Sequence, residues 1–142
     1  MKENDCIFCK ILKKEIPASV VYEDELVTAF MDVMPFTKGH LLVIPNEHGQ
    51  LIGEIDEKTA GRMFEVGRKL NRAIRKSGIE SEGVNFMMAD GPAAGQEVFH
   101  SHLHCIPRNT GDGFGFKRPP GYGKMAERAD LDLLAEEIKK NL

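Results

Sequence analysis

All five histidines of the chain fall at two places, His40/His48 and His100/His102/His104. In the second group they alternate with Ser101, Leu103 and Cys105, so an extended strand would project three imidazoles from one face and the intervening side chains from the other. A lone strand histidine is ordinarily a satisfied structural residue. Three on one face is a different matter, because packing alone has little reason to gather three titratable rings whose nitrogens each need a partner. A strand rise of about 3.3 Å per residue would set the outer two positions about 13 Å apart, too wide for all three rings to meet one tetrahedral ion comfortably. The row suits nucleophilic catalysis better, with the middle ring, His102, attacking while its neighbours fix its tautomer and balance charge. Phosphorus is the fitting electrophile, since neutral imidazole attacks phosphate competently and the resulting phosphoramidate hydrolyses readily.

Two further features could serve such chemistry. Cys6-Ile7-Phe8-Cys9 reads as half a zinc site, a redox pair or a coincidence at a helix start. A thioredoxin-like role would need a strand ahead of the pair and a longer helix behind it, and the polar residues before Cys6 supply no strand. Gly91 and Gly95 allow a loop whose backbone N–H groups face phosphate oxygens. An ordinary strand connection accounts for that loop equally well.

The elements that must position these residues are legible in the periodicity. Residues 6–13 carry Ile7, Phe8, Ile11 and Leu12 at helical spacing, closed by Lys13, Lys14 and Pro17. Residues 19–23 and 26–31 are β-prone runs around Asp24-Glu25, an antiparallel hairpin, and 40–44 form a third strand ending at Pro45. Between Asp56 and Ser77, Met63, Val66, Gly67, Leu70 and Ile74 recur at intervals of three and four, with Asp56 as N-cap and Gly78 as the stop. Residues 83–88 and 98–106 are two more strands, joined by a loop longer than a tight hairpin needs. The Gly- and Pro-rich stretch 107–124 can hold no regular element. Within the last helix, about 125–140, Leu131, Leu134 and Ile138 share a face that packs on the domain or on a partner. The order predicts an α+β fold: an antiparallel sheet of about five strands with one long helix and short N- and C-terminal helices.

Composition limits the alternatives. At 142 residues, 42% hydrophobic and 29% charged, the chain reads as a single domain over 1–142 whose core forms without disulfide staples. A net charge of −3, with 19 Lys and Arg scattered among 22 Asp and Glu, leaves no footprint for nucleic acid. The polar start and short apolar patch suggest neither a secretory signal nor a membrane span, and hence the cytoplasm. Three cysteines in a reducing compartment make no disulfide framework.

The run His100-Ser101-His102-Leu103-His104-Cys105-Ile106 resembles the signature of the histidine-triad (HIT) family. Ala94-Gly95-Gln96, Gly39-His40-Leu41-Leu42-Val43-Ile44-Pro45 and Cys6-Ile7-Phe8-Cys9-Lys10-Ile11 are similar to the same family. The resemblance covers residue 5 to about 108. Asp90 to Gln96 and Ile106-Pro107-Arg108 look like its dinucleoside-polyphosphate hydrolase branch, whereas the opening cysteines are similar to the bacterial nucleotide-binding branch.

The resemblance implies a homodimer formed through sheet and helix. It also implies hydrolysis or transfer at the α-phosphate of a purine nucleotide such as a nucleoside phosphoramidate or dinucleoside polyphosphate. Carried over by position, His102 is the nucleophile forming a nucleotidyl intermediate, and His40 and His104 contact phosphate or the nucleophile. Gln96, beside Gly95, contacts phosphate oxygens or the leaving group. Asp32 binds ribose hydroxyls, and Ile7, Phe8, Ile11, Phe30 and Val33 line the purine pocket, although by their residue types alone Ile11 and Val33 are equally core. Bacterial relatives with the cysteine pair resemble a Cys₂His₂ site, which implies a structural zinc on Cys6, Cys9, His48 and His100 and no metal in the chemistry. His48 would otherwise read as a solvated loop residue. Two departures stand out. Ser101 replaces an apolar residue, suggesting a back face that is not fully buried, and Glu97 replaces the Ser or Thr of relatives. A carboxylate there repels a phosphate unless it turns away, which keeps alive the alternative of a nucleotide-binding or regulatory module with little turnover.

Overall fold

A computed structural model describes residues 3–142. Its elements, in chain order, are α1 (Ile7–Leu12), β1 (Val20–Glu23), β2 (Val27–Met31), β3 (Leu41–Pro45), α2 (Glu57–Lys76), β4 (Gly83–Met87), β5 (Leu103–Arg108) and α3 (Arg128–Lys139). The strands form one antiparallel sheet in the order β1-β2-β3-β5-β4. The expected α+β architecture is therefore present, with β5 inserted between β3 and β4.

Strand alternation sorts side chains onto the two faces. Val27, Ala29, Leu41, Val43, Leu103 and Cys105 join Met63, Val66, Leu70 and Ile74 of α2 in the main core. The other face carries Phe30, Leu42 and Ile44, packed with Cys6, Phe8 and Cys9 from the α1 region. Leu42 pairs with Phe30 on β2 and with His104 on β5, so the register delivers His104 to the α1 face.

Two glycines let the layers close. A Cβ on Gly67 would lie 3.1 Å from Leu103 Cδ2, so the glycine lets α2 approach β5 without displacing that side chain. Gly39, at φ +89°, makes the turn that brings His40 to the start of β3, where a Cβ would meet Ile79 at 3.0 Å and Pro107 at 3.2 Å.

Asp56 caps α2, accepting from the Thr59 N–H at 3.2 Å, an interaction of about 1 kcal/mol. The helix stops just ahead of Gly78 as expected, but Ser77 does the capping: its hydroxyl and N–H both donate to the Ile74 carbonyl. That satisfies an orphan carbonyl without a left-handed residue.

The last helix forms, but every residue of α3 is exposed. Of the two packing options, docking on the domain is therefore not the one seen in this single chain. No helix among the described residues is long and apolar enough to cross a membrane.

Candidate functional site

The predicted strand over 98–106 begins later, at Leu103. His100 and His102 precede it outside the ladder, yet the alternation holds: all three imidazoles lie on the α1 face, Phe8 being edge to face with His100 and His102 and the His104 ring 4.8 Å from that of His102, while Ser101, Leu103 and Cys105 turn to the α2 side. On that face their partners divide them into two clusters. Ser101 between them is buried, with its N–H on the Gly49 carbonyl (2.7 Å) and its hydroxyl 3.8 Å from Met88 Sδ. The expectation of an incompletely buried back face is thus overturned, because a backbone and a thioether partner satisfy the hydroxyl.

The first cluster gathers Cys6, Cys9, His48 and His100, whose ligand atoms all lie within 4.8 Å of one another. His100 Nε2–H donates to the Pro45 carbonyl at 2.9 Å, which turns its bare Nδ1 toward the others. That Nδ1 lies 3.5 Å from Cys6 Sγ, 3.6 Å from Cys9 Sγ and 3.3 Å from His48 Nδ1, and His48 Nδ1 is 3.3 Å from Cys9 Sγ. A tetrahedral zinc with ordinary bond lengths sets N···N edges at about 3.3 Å and N···S edges at about 3.5 Å. The donor set therefore fits zinc in kind and in spacing. Burial, before any other cause, pushes the Cys9 thiol up to about 12 and His100 down to about 4. Both groups thus avoid charge in this buried setting, and a cation reverses that preference for the thiols. Cys105 lies apart in the main core, its thiol pushed up to about 12 by burial alone, a packing residue rather than a reactive one.

The second cluster is His40, His102 and His104. The Phe36 N–H donates to His40 Nδ1 (3.1 Å), so His40 carries its proton on Nε2 and donates it to His104 Nδ1 (2.9 Å). The remaining His104 nitrogen, Nε2, is then the protonated one. His102 Nδ1–H donates to the His100 carbonyl at 2.7 Å, which leaves the lone pair on Nε2. Burial is the main cause lowering the basicity of His40, His102 and His104, the last to about 4. Near neutrality all three rings are uncharged. Asp32, His40 and His104 also lie within metal-ligand range of one another, with Asp32 Oδ2 3.6 Å from His40 Nε2. A metal on His40 Nε2 would force a proton onto Nδ1 against the Phe36 N–H, so this group is a hydrogen-bonded relay.

Around the relay, Phe8 meets His102 edge to face at 5.2 Å and Phe30 at 5.5 Å. Phe8 and Phe30 are buried, Ile11 is half-buried, and Ile7 and Val33 are exposed by 46% and 87%. Val33 is therefore not core; Ile11 packs on the cluster that holds Phe8 and Phe30, whereas Ile7 and Val33 lie at the surface. Asp32 lies beside His40, one carboxylate oxygen accepting from the Met34 N–H at 2.8 Å.

The glycine loop departs from expectation. Gln96 Oε1 accepts from the Gly91 N–H, and its Nε2 donates to the Gln50 and Val98 carbonyls. The N–H groups of Ala94, Gly95 and Gln96 likewise bond to carbonyls within the loop. Gln96 as placed scaffolds the loop and has no amide atom spare for a phosphate, and Gly91 and Gly95 do not present their N–H groups outward. Buried amides take the nearest acceptors, and a loop closed on itself satisfies them locally. Glu97 is exposed. Phe36, which sequence reasoning did not place at the site, touches His40, and Phe114 and Arg108 stand behind it; the signal for Phe114 was the aromatics interspersed in 107–124.

Comparison with known proteins agrees with this geometry. Residues 13–111 match the model of the HIT domain. An uncharacterized HIT-like protein of Borreliella burgdorferi is 52% identical over 117 residues, covering 80% of this chain and 83% of that protein. A zinc-bound histidine triad family protein from Mycobacterium smegmatis superposes with a TM-score of 0.76 at 42% identity, covering 84% of this chain and 86% of the other. A histidine triad nucleotide-binding protein from Candida albicans superposes at 0.85 with 31% identity, covering 96% of each. With a family model matched over most of its length and a relative 52% identical, the chain belongs to the HIT family.

Proposed function

We propose that the chain is a nucleotide hydrolase or nucleotidyl transferase acting at the α-phosphate of a purine nucleotide, with His102 as nucleophile. The observation that carries this reading is the 2.7 Å bond from His102 Nδ1–H to the His100 carbonyl. It leaves Nε2 bare, and the carbonyl stabilises the positive charge the ring gains as it attacks. The Nε2 lone pair forms a bond to phosphorus while the bond to the leaving group breaks. The leaving group takes that electron pair and a proton from solvent. Water then attacks phosphorus and gives up a proton to solvent, the P–N bond breaks, its electrons return to Nε2, and a nucleoside monophosphate departs. His104 donates from Nε2–H to a phosphate oxygen, with His40 behind it holding the tautomer. Phe8, Phe30, Ile7, Ile11 and Val33 take the base, and Asp32 the ribose. The nucleotide-binding homologue supports the ligand class, since it is similar over nearly the whole chain.

In the same reading, zinc on Cys6, Cys9, His48 and His100 ties α1 to the irregular segment ahead of β5. Its role is structural, and the chemistry needs no metal. The three free cysteines suit the reducing cytoplasm. The protein works as a homodimer through the edge strand β4 and the neighbouring face of α2, where Phe64 is 58% exposed beside Phe86.

Incubation with adenosine phosphoramidate or a diadenosine polyphosphate should release AMP, and acid quenching should trap a nucleotidyl adduct on the His102 peptide. Full activity in His102→Ala would overturn the reading. The inward-turned amides of the glycine loop favour a second one, a binding module with little turnover, for which nucleotide binds and AMP release stays at background.

A further inference from the structure

Phe36 touches His40 twice. Besides its N–H bond to Nδ1, its ring lies on the imidazole at 5.3 Å and 13°, nearly parallel. The far face of Phe36 is covered by Phe114 at 4.7 Å and 12°. Three rings therefore stack outward from the buried imidazole. Core packing does not account for this, because Phe36 is 53% exposed and belongs to neither apolar core.

Phe114 is held there by a built turn in the stretch that composition alone reads as irregular. Arg108, the last residue of β5, donates to both carboxylate oxygens of Asp112 at 2.8 Å and to Asn85 Oδ1 at 2.6 Å. It also donates to the Phe114 carbonyl, and its guanidinium carbon lies 4.6 Å from the Phe114 ring centre. The Asp112 carboxylate accepts in turn from the Asn109 and Phe114 N–H groups at 3.1 and 3.2 Å. Bidentate pairing of this kind fixes direction as well as distance.

We propose that Phe36 and Phe114 are positioning residues for His40, holding its ring plane so that Nε2–H stays on His104 Nδ1. Rotating the imidazole about its Cβ–Cγ bond would lose both the Phe36 amide and the His104 nitrogen as partners. The proton on His104 Nε2 would then be unassigned. Neither aromatic needs to touch substrate, and the effect passes entirely through His40. The kinetic consequence rests on the hydrolytic reading of the relay; the ring orientation does not.

The test uses the full chain with Phe36→Leu and Phe114→Leu, which keep apolar bulk but lose the flat face, and Phe114→Tyr, which keeps it. Histidine-ring NMR reports the His40 tautomer and the upfield displacement caused by the stacked ring. Both leucine variants should lose that displacement and the single Nε2–H tautomer, and Phe114→Tyr should retain them. In the same leucine variants kcat for AMP release should fall about tenfold with KM within about twofold, as expected when a supporting partner of a catalytic imidazole is lost. Unchanged His40 signals in both leucine variants overturn the proposal, as does a loss confined to KM. If the ring signals move as expected but the wild-type protein releases no AMP, the positioning role stands and the hydrolytic reading falls.

Discussion

Acid should destabilise this fold through His104 in particular. Burial, then His102 and His40, push its basicity down to about 4 in the folded chain, against about 6.5 when unfolded. Between those values the unfolded chain binds more protons than the native one, so the stability tied to the neutral ring is present above pH 6.5 and lost as pH falls toward 4. At pH 5 the linkage amounts to about 2 kcal/mol, and at pH 7.5 to about 0.1 kcal/mol or less. Urea unfolding of wild type and His104→Gln at the two pH values measures it directly. The other histidines titrate in both proteins, so the difference between the two pH dependences isolates His104. Wild type should lose about 2 kcal/mol more than the variant on going from pH 7.5 to 5. Parallel losses would refute the reasoning, because they would mean that the folded protein holds His104 no more neutral than solvent does.

Metal analysis of purified protein should find about one zinc per chain, and His48→Ala should lower both zinc content and thermal stability by removing one of four ligands; a protein without zinc at full stability would dismiss the site. Phe64→Glu should shift the species in solution from dimer to monomer, since it places a charge on the apolar surface beside β4, and sedimentation of the variant as an unaltered dimer would move the interface elsewhere.

Much of the molecule is legible along the chain because it is written locally. Apolar residues at intervals of three and four mark α2, the Asp56 cap marks its start, and the β-prone runs 26–31 and 40–44 mark two strands. The types and spacing of the histidines and cysteines likewise point to the proposed phosphorus chemistry and to a metal-capable pair, since nitrogen and sulfur donors bring their chemistry with them. The His100-x-His102-x-His104 alternation also assigns the face, even though the ladder starts only at Leu103; what it does not encode is that His100 joins the cysteines while His102 and His104 gather beside His40.

What is non-local had to come from the fold. His40 lies 64 residues from His104, and they meet because β5 pairs with β3 rather than standing at the edge. His100 joins cysteines more than 90 residues away for a similar reason: Pro45, at the end of β3, offers the carbonyl that turns its ring. The Gln50 carbonyl that takes one Gln96 N–H and the Asn85 side chain that takes one from Arg108 are likewise brought within reach only by the fold. Residue type thus determines which reactions the chain can perform, while strand order and buried hydrogen bonds determine which nitrogen of each ring carries the proton, and hence which histidine can do which part of the work.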